Sequence, residues 1–194
     1  MKPDHGPPQS GYARIDALTS LRFFAVAMIV VHHSRGVLFL PADFLSHFAL
    51  DHAVSFFFVL SGFVLTYVYP QVTGAADRKK FYVARFARIW PAHVAAFVFL
   101  FLIFLPWSWY QISQPKNMAL AAANLLLVHG WYPAREVFFS FNQVTWAVST
   151  EVCFYLLFPL LIKDLEKTWP QKLLFSALLV LAAIAFCNVA QLPF

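Results

Sequence analysis

An all-α, polytopic bundle of membrane-crossing helices is the fold this sequence predicts, and three observations predict it. Of its 194 residues 61% are hydrophobic and only 12% are charged, whereas a soluble domain is roughly 45–50% apolar. Several stretches approach the ~20 mainly apolar residues that a spanning helix needs, without Asp or Glu. The cations that give the chain its formal charge of +5 collect at the ends of those stretches, where the positive-inside rule expects them.

Taken in order, residues 1–17 are expected to form an amino-terminal tail in the cytoplasm, rich in Pro and Gly at its start and mobile. Residues 18–194 form the membrane domain. Lys2 and Arg14 precede an apolar run at 23–31, as in a secretory leader. That run leads into His32, His33 and Arg35 without a small-residue cleavage site, so it reads as an uncleaved first helix. Spans are placed at 18–40, 53–69, 86–105, 144–162 and 173–187, giving about five to six membrane segments with the apolar piece 118–128. Pro70, Gly74, Pro106, Pro115, Gly130 and Pro133 punctuate the links. Trp107 and Trp109 suit a headgroup belt.

Lys and Arg counts set the orientation. Arg78, Lys79, Lys80, Arg85 and Arg88 put the link after the second span in the cytoplasm, and with it the amino terminus. The lysines of 163–172 put that link there too, so 118–128 is read as re-entrant or interfacial and 131–143 as external. A spanning 118–128 is the competing arrangement. The last apolar run ends at Cys187, with only 188–194 after it. This reads as a stop partway through a larger bundle.

Composition excludes other classes. Nothing besides the charge points to nucleic acid, and the charge is explained by membrane anchoring. Cys153 and Cys187 lie in apolar stretches and read as small membrane thiols rather than a disulfide. No metal site is expected.

Polar residues inside the apolar segments carry the functional signal. A charged group at the centre of a membrane helix costs about 2.5–3.5 kcal/mol on insertion scales, so such groups normally face partners or a wet cavity. Arg22 and His33 are eleven residues apart, about 16 Å of helical rise with a residual rotation of only about 20°. They share one face, whereas His32 is turned about 100° away. Glu151 and Tyr155 are spaced i, i+4, so a carboxylate and a phenol also share a face. In the favoured topology Glu151 and His33 both fall in the outer half of the membrane, where a carboxylate beside an imidazole makes a poised general base. Arg85 and Arg88, at i, i+3, could hold phosphates bidentately. Each has a plainer reading: Arg22 snorkelling to the headgroups, His33 bonded to a backbone carbonyl, Glu151 paired with an arginine, and Arg85 and Arg88 on anionic lipid.

Four stretches in register resemble the acyltransferase-3 family, the membrane enzymes typified by OafA-like O-acetyltransferases of surface polysaccharides. They are Arg22 to His33 in LTSLRFFAVAMIVVHH; SFFFVLSGFVL at 55–65; Arg85, Arg88, Ile89 and Pro91; and Trp146, Ser149, Glu151, Phe154, Tyr155 and Pro159. Thr19, Ser55 and Val152 stand where the family commonly has acidic residues, and members typically have about ten spans. The resemblance implies an integral membrane acyltransferase, multi-pass in a bacterial inner membrane. It would use acyl-CoA as co-substrate, with no bound cofactor, and move an acyl group, often acetyl, to a hydroxyl of a carbohydrate or glycolipid acceptor. His33, Glu151 and Arg22 are then the expected catalytic residues, and Arg85, Arg88, Tyr155, Trp146 and Ser149 the substrate-binding ones. A transporter or proton-relay subunit would also place His and Glu inside a bundle, and an inactive truncated fragment is the third reading.

Overall fold

The computed structural model describes residues 16–34, 52–103 and 114–189, and every regular element in them is helical. In chain order these are α1 (Asp16–Ser34), α2 (Ala53–Val68), α3 (Ala75–Ile103), α4 (Pro115–Leu125), the 3-10 turn η1 (His129–Trp131), α5 (Arg135–Phe138), α6 (Thr145–Ile162) and α7 (Leu165–Val189). The expected all-α class is what the chain adopts. Expected segment ends at 35–40 and 104–105 lie outside the described residues. The chain divides into two units, Met1–Pro70 and Gln71–Phe194.

In the first unit α1 packs against α2. Ala25 on α1 is buried, as are Ala53, Leu60, Ser61 and Leu65 on α2. Leu60 and Ser61 thus put the centre of the Phe-rich signature inward, while Phe56, Val59 and Phe63 stay exposed, as suits side chains whose solvent is lipid. Thr66 returns its hydroxyl to Gly62 O at 3.0 Å, the usual way a membrane helix satisfies a threonine.

The second unit is built on α3. Its 29 residues rise about 43 Å, more than the ~30 Å hydrocarbon core. The segment expected to be a basic link is therefore the first part of the helix itself. The start is set at Gly74, whose N–H donates to Asp77 Oδ2 at 3.3 Å, the backward half of a capping box. Arg78, Lys79 and Lys80 are exposed on the extra turns. Pro91 lies inside the helix and removes one backbone bond, which membrane helices tolerate.

Helix α4 opens with Pro115 in the first-turn position where its missing N–H costs nothing. At 11 residues it rises about 16 Å, half the hydrocarbon thickness, and does not cross a bilayer as a helix. Leu127, at φ 57°, then turns the chain into η1. Helix α6 follows and packs on α3 and η1, and α7 packs on α6. Helix α7 begins eight residues before the expected 173, because Lys167 and Thr168 amides both bond to Asp164 O at 3.0 Å and Pro170 falls within its first turns. Helices α3, α6 and the stretch Leu165–Phe186 are long and apolar enough to cross a membrane; 20–34 and α2 are apolar but shorter.

Candidate active site

The candidate residues fall on both units. Arg22 and His33 belong to the first, on the single helix α1, so the shared face expected from their spacing follows from that helix. Arg22 is half-buried and His33 exposed. The rings of His32 and His33 meet edge to face with centroids 5.3 Å apart.

Within the second unit, the structure brings three of the expected residues together. The Tyr155 hydroxyl donates to Glu151 Oε1 at 2.6 Å, a charge-assisted distance, and the phenol is only 7% exposed. Across the α3–α6 interface the Arg85 guanidinium lies 5.9 Å from the Tyr155 ring centroid and 6.0 Å from that of Phe81, at the outer limit of a cation–π contact. Phe81 meets Tyr155 edge on at 6.3 Å and stacks on Phe158 at 5.1 Å. Helix geometry explains the assembly: Phe81 and Arg85 are one turn apart on α3, as are Glu151 and Tyr155 on α6, so two i, i+4 pairs face each other. Arg88 is exposed one turn along α3. Val152 and Leu156, with Tyr82, Phe86, Ile89 and Trp90, continue the interface as an apolar cleft of about 160 Å³ that Arg85 and Tyr155 also line.

Ser149 is placed differently. It is 0% exposed; its hydroxyl donates to Leu127 O at 2.7 Å and accepts from Gly130 N at 3.1 Å. Its carbonyl accepts from Trp131 Nε1 at 2.9 Å. Two of these bonds seat η1 on α6, and the third anchors the carbonyl of Leu127, which stands in the left-handed conformation that a leucine rarely adopts. Trp146, half-buried, stacks on Phe138 at 5.4 Å.

Sequence reasoning missed a buried polar group next to this seat. His93 Nε2 donates to Asn124 O at 2.9 Å, and Asn124 Nδ2 donates to Ser140 Oγ at 2.7 Å and Leu120 O at 3.1 Å. His129, fully buried, has Nε2 3.2 Å from Thr145 Oγ1, whose own proton goes to Asn142 O at 2.7 Å. Burial first, and the nearby His93 second, pull the His129 pKa below its usual value, against a smaller opposing effect of the Ala123 carbonyl. The available signal was polarity in apolar surroundings, His93 in a span and Asn124 in an apolar helix. Among the described residues no three or more of His, Cys, Asp and Glu stand together as a metal site.

Residues 15–193 match the model of a family described as an acyltransferase domain, and the chain belongs to that family. With its apolar helices this makes it a multi-pass membrane protein. It is 32% identical over 188 residues to the acyltransferase MdmB of Streptomyces mycarofaciens, covering 92% of this chain and 46% of MdmB. It is 29% identical over 181 residues to the O-acetyltransferase OatA of Staphylococcus aureus, covering 88% of this chain and 28% of OatA. The chain thus spans less than half the length of these relatives. No solved structure matches it.

Proposed function

We propose that this chain forms part of a membrane O-acyltransferase that moves an acyl group, typically acetyl, from acyl-CoA to a hydroxyl of a carbohydrate-containing acceptor. The observation that carries this reading is the carboxylate–phenol–guanidinium arrangement of Glu151, Tyr155 and Arg85, in a chain of the acyltransferase family. The relatives' names, acyltransferase and O-acetyltransferase, support the reaction class.

In the reaction, the acceptor oxygen attacks the thioester carbonyl carbon, a C–O bond forms, the C–S bond breaks and the thiolate leaves as coenzyme A thiol after taking up a proton. No ATP is needed, since a thioester is a better acyl donor than the ester formed. His33 is the proposed base for the hydroxyl proton, and Glu151 is proposed as the second catalytic residue, a carboxylate beside the donor-binding arginine. Arg85 and Arg88 are proposed to hold the donor's phosphates, Arg22 to guide the pantetheine arm, and Trp146 to offer an aromatic face to the acceptor. Ser149, with its hydroxyl engaged twice, contributes by holding η1. The protein is placed in an inner membrane with a cytoplasmic amino terminus, which puts the exposed cations of α3 on the side where acyl-CoA is found.

The test is His33→Ala in the full-length enzyme. Acyl transfer is expected to be abolished with membrane insertion unchanged, and normal acceptor modification would overturn the assignment. A proton-relay subunit has no use for a phosphate clamp, so protection of Arg85 and Arg88 from guanidine-directed labelling by acyl-CoA separates the two classes.

A further inference from the structure

We propose that Tyr155 is a positioning residue for Glu151, linking the carboxylate to the donor-binding arginine, rather than a residue that binds substrate. The inference rests on the acyltransferase reading above. Glu151 is half-buried on a membrane helix, with three rotatable side-chain bonds of its own. A carboxylate that must face one reacting group needs its rotamer fixed from outside. The Tyr155 hydroxyl supplies this at 2.6 Å. The tyrosine is itself fixed: it is buried, Phe81 meets its ring edge on, and Arg85 stands off the same ring at 5.9 Å. The phenol has one O–H to donate, and in this geometry Glu151 Oε1 accepts it.

The arrangement also joins two parts of the reaction. Arg85 reaches the ring of the residue whose hydroxyl holds Glu151, so a donor that draws the guanidinium toward its phosphates changes the field at the phenol. The hydroxyl and the ring are separable by mutation, which gives the proposal its test.

Steady-state acyl transfer by the full-length enzyme in proteoliposomes, with varied acetyl-CoA, is compared for wild type, Tyr155→Phe, Glu151→Gln and the double variant. Tyr155→Phe keeps the ring and removes the hydroxyl. It is expected to lower kcat about ten- to hundredfold, the range for losing a hydrogen bond to a charged group, with KM for acetyl-CoA within about twofold. In the Glu151→Gln background the same change is expected to have little further effect, because a group that acts only through Glu151 is non-additive with its loss. Tyr155→Leu, which also removes the ring from Arg85, is expected to raise KM as well. Wild-type kcat in Tyr155→Phe, or an undiminished loss in the Glu151→Gln background, overturns the proposal. Full activity in Glu151→Gln alone instead overturns the role of the carboxylate, and with it the reading on which the proposal rests.

Discussion

Gly130 lies so close to Ser149 that a β-carbon on the glycine would stand 3.0 Å from both Cβ and Oγ of the serine, and 3.2 Å from Trp146 O. The neighbours are a fixed backbone oxygen and a short side chain held by two hydrogen bonds, so neither yields cheaply. Gly130→Ala is expected to destabilise the second unit by about 1–3 kcal/mol, the cost of overpacking a tight contact. It should show as a lower unfolding midpoint of the purified protein in detergent. An unchanged midpoint would mean that η1 is not seated on α6 as described.

Ser149→Ala tests the same contact from the other side. It leaves the Leu127 carbonyl and the Gly130 amide without their partner, at about 1–3 kcal/mol for buried groups left unsatisfied. Stability is therefore expected to fall while KM for donor and acceptor stays level in the protein that folds. A raised KM at normal stability would return Ser149 to the substrate-binding set expected from sequence.

His129 gives stability a pH dependence of known sign. Its folded pKa lies below the usual 6.5, so between the two values the unfolded chain binds more protons than the folded one, and stability rises with pH in that window. The favourable term is complete above about pH 6.5 and is lost as the pH falls toward the folded value. Thermal midpoints across pH 5–8 are expected to drop on the acid side for the wild type and to flatten in His129→Gln. A slope that survives the substitution would assign it to another group.

Arg88 and Arg85 are expected to differ although the motif treats them alike. Arg88 is exposed, whereas Arg85 is half-buried between the rings of Phe81 and Tyr155. Arg88→Ala should raise KM for acyl-CoA by on the order of tenfold, the loss of one charge-assisted contact, and leave the fold intact. Arg85→Ala should raise KM and lower the unfolding midpoint as well. Equal effects on both measurements would mean that the ring contacts carry no stability.

Orientation is testable with cysteines. In a cysteine-free background, Gln143→Cys should react with an impermeant maleimide from outside the cell, and Lys167→Cys only after permeabilisation. Both positions are exposed. Labelling of Lys167→Cys from outside would reverse the proposed topology of α6.

What the sequence made legible is what depends on one helix. Glu151 and Tyr155 meet because i, i+4 residues meet on any helix, and the Arg85–Arg88 face follows from the same rule. Hydropathy placed α2 and α6 to within a residue, because apolar length decides those boundaries. It placed the start of α3 eleven residues late, since the cations of the first turns look like a loop to a hydropathy count; the Gly74–Asp77 cap was the signal that corrects it. Contacts between distant segments were not legible. Nothing in His93 or Asn124 announces that residues 31 apart in sequence share a hydrogen bond, and Ser149 reads as a motif serine until the turn it holds is seen.

Pro159 follows Tyr155 by four residues and is buried inside α6. A proline has no amide hydrogen, so the Tyr155 carbonyl cannot close the usual helical bond to it. The residue that grips Glu151 thus sits at the joint of a rod with one missing rung. With that bond missing, α6 is least stiff just beyond the residue that holds Glu151, and it is the burial of Phe158, Pro159 and Ile162 that keeps this stretch in line.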